Sequence, residues 1–222
     1  MKKLFLSFGL FAFVAVGSVQ ATEYGLDKAH THVGFSVKHI LSMVPGEFKD
    51  YDGTFSFDPK KPEASKIKVT IQTASVNTGV EMRDHHLQTA DFFDAEKYPT
   101  LTFVSKSVEK GDAENKYKVV GDLTIHGVTK SVTLDVDYLG ADEMPMGKDG
   151  KMVAKVVGFS ATTTIDRRDF GLAFNKVLAS GNLMVGNDVK ISLDIAGMDK
   201  KSLDAMKKMM GAPKKEKPAD KK

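Results

Sequence analysis

A chain of 222 residues that is 41% hydrophobic and 27% charged has the balance of one globular domain with a sizeable core. It contains no cysteine, which excludes thiol nucleophiles, thiolate metal sites and disulfide bracing. The net charge of +3 belongs to the ends, with Lys2 and Lys3 at the start and nine lysines after Gly197; the body between them is mildly acidic and ill suited to nucleic acid.

Residues 1–21 read as a secretory signal peptide: two lysines, an apolar run from Leu4 to Val16, and small residues ending in Val19-Gln20-Ala21. The run is too short to span a bilayer comfortably, so cleavage after Ala21 is expected rather than an uncleaved anchor, and the mature protein is expected in the periplasm. From Thr22 onward, segments of period two follow one another, as strands with one buried face require. Val33, Phe35 and Val37 mark the first, about Gly46 to Phe57 a second and less regular one, and Ile67, Val69 and Ile71 a third. Leu101 and Phe103 begin a fourth and Val119, Gly121, Leu123 and Ile125 a fifth. Val132, Leu134, Val136 and Tyr138 form the clearest, followed by about Met152 to Arg167 and by Val189, Ile191, Leu193 and Ile195. Short turn-like connections, among them His126-Gly127 where Gly127 can take positive φ, predict antiparallel neighbours. Eight such strands close into a barrel or pack as a sandwich, and Gly34, Gly121, Ser160 and Ala161 among them leave room for a cavity.

The long connection from Asn77 to Phe103 interrupts this pattern. It predicts a short helix from about Glu81 to Thr89, a tight turn, and Tyr98-Pro99 leading into the next strand, since Pro99 holds Tyr98 extended. Phe92 and Phe93 are too apolar for water, so the connection reads as a plug with aromatic residues packed on the body and charges at its rim. Arg83 with Asp84, and Arg167 and Arg168 with Asp169, read as ion pairs that pin the plug and the last long strand; arginines at a barrel mouth also match a phosphate head. The chain divides into residues 1–21, a domain over 22–196, and a lysine-rich tail over 197–222. In the tail Ser202 to Met210 can form a turn or two of amphipathic helix, and the rest is expected to be disordered. A loose attraction of this tail to anionic lipid is the weaker reading beside a solvated tail without a role.

His30 and His32, two apart on an expected strand, leave one face and invite a metal reading, with Asp84, His85 and His86 as further ligands. Adjacent histidines on a helix point about 100° apart, and no HExxH-type spacing is present, so histidines bonded to backbone or water are the simpler reading and no metal site is assigned. A serine such as Ser160 or Ser180 beside a histidine is the hydrolase reading, but the G-x-S-x-G elbow and phosphate-cradling loops are absent, and no catalytic residue is assigned.

The ordered motifs resemble the YceI-like family, periplasmic polyisoprenoid-binding proteins with a lipocalin-like barrel. The resemblance runs through Asp27-x-x-His30-Thr31-x-Val33-x-Phe35-x-Val37, Gly46-x-Phe48, Asp52-Gly53, Ser75-Val76-x-Thr78, Arg83-Asp84-x-His86-Leu87 and Asp91-Phe92-Phe93-Asp94. It continues through Tyr98-Pro99-x-Leu101-x-Phe103, Gly121-x-Leu123-Thr124-x-His126-Gly127-Val128-Thr129, Gly158-Phe159 and Ile165-Asp166-Arg167-x-Asp169-Phe170-Gly171. It implies an all-β fold, an extended eight-stranded antiparallel barrel with a short helix in the 77–100 connection. The barrel would enclose a long apolar pore for an isoprenoid lipid, a polyprenyl phosphate or an isoprenoid quinone, with no other cofactor and no enzymatic activity. Arg168 stands where the family usually has a small hydroxyl residue, and the lysine-rich tail goes beyond the common pattern. Alternation then names the pore residues Val33, Phe35, Val37, Phe48, Phe55, Val69, Ile71, Phe103, Leu123, Val136 and Phe159, with Arg83, His86 and Arg167 at the rim. Two other readings stand beside this one: an enzyme, metal-assisted or an isomerase, acting on a lipid in the same cavity, and a ligand-free structural or stress-related protein. Partnership as a homodimer is left open.

Overall fold

The computed structural model describes residues 21–147 and 150–211. The expected signal peptide, apart from Ala21, and residues 212–222 of the expected tail lie outside them. In chain order the elements are β1 (Thr22–Leu26), β2 (His32–His39), β3 (Ser42–Phe48), β4 (Tyr51–Phe57), β5 (Lys66–Gln72), β6 (Val76–Asn77), α1 (Glu81–Gln88), β7 (Thr100–Lys110), β8 (Lys116–Ile125), β9 (Val128–Met146), β10 (Met152–Asp166), β11 (Val185–Asp199) and α2 (Lys200–Gly211). No helix among the described residues is long and apolar enough to cross a membrane.

The strands form one antiparallel circuit, β1-β4-β5-β7-β8-β9-β10-β11, which closes where β11 returns to β1. The short strands β2, β3 and β6 prolong β1, β4 and β5 toward one end: β2 pairs with the first half of β11, β3 with β2, and β6 with β3. The molecule is therefore a closed eight-stranded antiparallel barrel in which the first three long strands are each broken once. The expected irregular strand from Gly46 to Phe57 is the second of these, β3 and β4 meeting at Lys49 and Asp50.

Each break satisfies its backbone locally, as a buried chain must. Between β1 and β2 the Thr31 hydroxyl donates to the Ala196 carbonyl at 3.2 Å and accepts from the Ala196 N–H at 3.1 Å, standing in for a strand residue. The Tyr51 hydroxyl donates to the Thr31 carbonyl at 2.6 Å. Between β3 and β4 the Lys49 N–H reaches the Ser75 carbonyl at 3.0 Å and the Gln72 N–H reaches Asp50 at 2.8 Å, so the ladder continues around the corner.

The hairpin between β8 and β9 has two residues at its tip, His126 at φ 53° and Gly127 at φ 75°, the left-handed pair that a tight turn of this hand requires. A Cβ on Gly127 would lie 2.5 Å from the Tyr98 ring, so the absent side chain also admits the end of the plug.

The domain does not stop at residue 196. That position lies inside β11, and the turn or two of amphipathic helix expected from Ser202 to Met210 of the tail is a longer helix, α2, over residues 200–211 that packs on the barrel. Two things hold the helix. Asp199 caps it, accepting from the Ser202 N–H at 3.0 Å and from the Lys155 N–H at 2.8 Å. Burial pushes the Asp199 carboxyl up, but those N–H groups and the Lys155 charge outweigh it and hold the carboxyl below its usual range. Leu203 and Met206 then pack on Met146, Ala154 and Met198, where β9 and β10 run on past the end of β8. Ala substitution of Leu203 should lower stability by about 2–4 kcal/mol, the usual loss for a buried leucine; an unchanged urea midpoint would mean that α2 is a detachable appendage.

Candidate functional site

Alternation along eight closed strands places one apolar face of every strand inside the barrel. The interior holds a cavity of about 480 Å³ with an almost wholly apolar wall, within the range of roughly 300–1,000 Å³ common for small-molecule sites. All eleven residues named from alternation, from Val33 to Phe159, stand on this wall, as does Ala161. So do Val119, Val132, Leu134, Ile191, Leu193 and Ile195, which the same alternation could have named. Gly34, expected to give the cavity room, does line it, through its backbone, since a Cβ there would point to His32; Ser160 sits out of phase with the inward residues and faces outward.

At the far end, near α2, aromatic rings close the lumen. Phe57 lies 5.0 Å from Phe159, 5.1 Å from Tyr138 and 5.9 Å from Tyr117, and Phe55 joins through Phe159 at 5.8 Å and Tyr24 at 5.3 Å. These are tilted and edge-on contacts of the kind that lock aromatic clusters, Tyr24 and Phe55 alone being stacked. The Ser65 hydroxyl, buried on the cavity wall, has no hydrogen-bond partner among the described residues.

At the opposite end α1 and the stretch from Arg167 to Met184 lie across the mouth. Phe93 packs edge-on to Phe48 at 5.8 Å, while Phe92, Phe174 and His86 form a three-ring group with centroids 4.9–5.1 Å apart. The connection is thus a plug anchored by aromatic rings. His86 is also tied by Nε2 to Asp91 at 2.9 Å. Phe174, Leu172 and Met184 belong to a segment without strand or helix periodicity, and no sequence signal marked them as wall residues.

The arginines are held differently from the expected ion pairs. Arg83 and Asp84 do not pair with each other; both converge on Thr78. Arg83 donates from Nε to the Thr78 hydroxyl at 2.7 Å and from Nη2 to its carbonyl at 2.9 Å, and Asp84 accepts from the Thr78 N–H at 2.8 Å and from its hydroxyl. Two adjacent helical residues thereby clamp the chain entering α1, which lacks a side-chain N-cap.

Arg167 is 4% exposed and finds no carboxylate among the described residues. Its guanidinium donates instead to the backbone carbonyls of Gly186 at 2.8 Å, Leu172, and Val185 at 3.5 Å. Burial pushes its pKa down from the ordinary value, Asp166 opposes this, and Arg168 adds to it. Arg168 pairs with Asp166 rather than Asp169, because Asp166 caps the 3-10 turn Arg167–Phe170 and faces back across it. The side chain and N–H of Arg168 hold the Asp166 carboxyl at about 2.

The histidines do not form a metal set. His30 lies in the turn before β2, bound to Asp27 at 2.7 Å, and His32 opposite Glu47 at 3.3 Å. Their assumed common strand is broken there. Among the described residues no three histidine, aspartate or glutamate side chains gather as metal ligands.

The YceI-like domain model matches residues 24–197. Protein YceI of Escherichia coli O157:H7 is 40% identical over 206 residues, covering 90% of this chain and all of that protein. The crystal structure of the Campylobacter jejuni YCEI protein is 42% identical, with a TM-score of 0.60 over 79% of this chain and 96% of that one. A polyisoprenoid binding domain from Saccharophagus degradans, implicated in plant cell wall breakdown, shares the fold with a TM-score of 0.55 at 18% identity, over 80% of this chain and 98% of that one.

The Asp166–Arg168 pair has a pH signature. A carboxyl at about 2 when folded and near 3.9 when unfolded contributes stability that is complete above about pH 4 and disappears as pH falls toward 2. Asp166→Asn should flatten the pH dependence of the unfolding free energy, read from urea titrations in that window, by about 1 kcal/mol, the ceiling for a pair open to water. An unaltered slope would place the acid sensitivity elsewhere.

Proposed function

This chain belongs to the YceI-like family, and from that premise we propose that it binds one amphipathic isoprenoid lipid, with the apolar tail in the barrel and the head group at the mouth. The observation that carries this reading is the lumen itself, apolar along its length, stopped by aromatic rings at one end and bordered by Arg83, His86 and Arg167 at the other. Moving a hydrocarbon chain out of water is favourable by about 0.8 kcal/mol per methylene, so a dry tube needs no special contact to retain a long tail. The fold shared with a polyisoprenoid binding domain is consistent with such a tail.

The lipid is a polyprenyl phosphate or an isoprenoid quinone. Arg167 is preset for an anion, since its charge is buried and its bonds go to neutral carbonyls that leave the charge unneutralised. Arg83 lies across the mouth with one terminal nitrogen not engaged by Thr78. The role we infer is non-catalytic carriage or storage in the periplasm, and it requires no cofactor beyond the lipid.

Native mass spectrometry of protein taken from its own cell envelope, followed by organic extraction, should give one isoprenoid per chain. Protein that arrives empty and refuses both added quinones and polyprenyl phosphates would overturn the reading. Arg83→Ala should weaken a polyprenyl phosphate by about tenfold more than a neutral quinone of equal tail length, the excess being the lost charge-assisted hydrogen bond and the shared part the released Thr78 clamp. Equal loss for both would remove the phosphate from the head-group position.

A further inference from the structure

The tip of the hairpin between β2 and β3 breaks the local rules of turn chemistry. Two-residue hairpin tips favour Asn, Asp and Gly, which tolerate left-handed backbone and water. Here the pair is Ile40-Leu41, with Ile40 at φ 56°, a rare conformation for a β-branched side chain, and Leu41 is 92% exposed. Among the described residues the Leu41 side chain stands almost wholly out of the fold.

A second hairpin-like loop lies beside it. The Ile40 N–H donates to the Met184 carbonyl at 2.8 Å, and Met184 in turn bonds back to Lys176 at 2.8 Å. Val177 and Leu183 face each other across this loop, and Val177 is 71% exposed. Met43 and Leu183 stand half out of the surface nearby, and across the mouth Met82 of α1 is 84% exposed. His39, Val44, Lys176, Met184 and Val185 of the same two loops line the cavity. The exposed apolar tips are therefore the outer lip of the pore.

Charge on this lip is one-sided where the hairpins lie. Residues 38–44 and 174–185 contain Lys38 and Lys176 and no carboxylate, and both lysines are exposed, with no ion-pair partner among the described residues. The α1 side does carry Glu81, which lies 3.8 Å from His85.

We propose that this lip is a membrane-docking surface, in which Leu41, Val177 and their apolar neighbours enter the headgroup region of an anionic bilayer while Lys38 and Lys176 meet its phosphates. The inference rests on the isoprenoid reading for its purpose. A chain of many methylenes cannot cross open water cheaply, and a mouth seated on the bilayer lets the tail slide from one apolar phase to another. Exposed leucine, valine and methionine around the mouth of the pore, beside unpaired lysines, match a lipid surface in both hydrophobicity and charge. The contact differs from tail binding: it is made by the barrel mouth, at the opposite end from α2.

The test uses the whole protein and cargo-free phosphatidylcholine vesicles with and without phosphatidylglycerol. Flotation should show binding that increases with phosphatidylglycerol. Leu41→Asp with Val177→Asp should reduce it by about tenfold or more, the expected effect of removing two inserted apolar side chains. Lys38→Gln should reduce it about fivefold on anionic vesicles only. A water-soluble short-chain isoprenoid phosphate measures the pore separately, and the Leu41/Val177 variant should bind it as the parent protein does. Vesicle binding untouched by these substitutions would overturn the docking surface even if the short-chain ligand binds. Loss of a dimer in the double variant, with no vesicle binding by the parent, would also overturn it and assign the lip to a second copy of the chain. Failure of the short-chain ligand to bind the parent protein would count against the pore reading alone, since flotation on cargo-free vesicles scores the lip independently.

Discussion

The barrel depends on one strand being long enough to serve two partners. β11 pairs through Val185–Asp194 with β2 and through Gly197–Asp199 with β1, while its other edge is occupied by β10 along nearly its whole length. Between those two stretches the partner strand is absent; the Ala196 carbonyl accepts from the Asp27 N–H at 2.9 Å, and the Thr31 hydroxyl supplies the acceptor for the Ala196 N–H while donating to the same carbonyl. A buried backbone N–H left unbonded costs about 1–3 kcal/mol, so the break depends on a side chain at position 31 that can accept from Ala196. Closure in turn removes the sheet edges and makes the interior a tube rather than a cleft.

A closed tube separates two jobs that compete in small domains. The aromatic group around Phe57 and Phe159 provides dense packing at one end, and α2 covers the strands that continue beyond it. The other end is left to α1 and irregular chain, held by polar contacts such as the Thr78 clamp and the carbonyl cage around Arg167. Such contacts order a lid without filling the lumen behind it. The mouth can therefore carry charge and strain, the buried guanidinium and the left-handed Ile40 among them, because the stability of the fold is generated elsewhere.

How much was legible follows the range of the interactions. Period-two alternation is local, so seven of the eight long strands, the β2 half of the first, and the parity of all eleven pore residues could be read from the chain itself; β1 could not, because Tyr24, Gly25 and Leu26 are buried in succession and show no alternation. The helix over Glu81–Gln88 and the aromatic plug were also local signals, Pro99 and the Phe92-Phe93 pair. What failed depended on partners distant in sequence. Residues 200–211 look like a solvated tail until Met146 and Ala154, some fifty residues earlier, supply the surface for Leu203. Adjacent opposite charges suggested that Arg83 pairs with Asp84 and that Arg167 and Arg168 pair with Asp169, yet the backbone directs them to Thr78, to carbonyls and to Asp166. The common face of His30 and His32 vanished for the same reason that β1 and β2 are separate strands.

The bore of the pore shows how a correct pattern can carry a wrong mechanism. Gly121 is an inward position, and a glycine there suggests open space. In the folded protein a Cβ at 121 would lie 2.3 Å from the Phe103 ring, which means that the tip of the phenyl ring reaches over the glycine of the neighbouring strand. The room is taken, and what it yields is a ring pressed to the wall instead of projecting across the lumen. A large aromatic residue beside a glycine therefore contributes a buried apolar surface to the barrel while keeping the centre clear. The width available to a ligand is set by such pairings across strands, not by the average size of the inward residues, and a methyl group at 121 would narrow the pore from the position that had seemed to widen it.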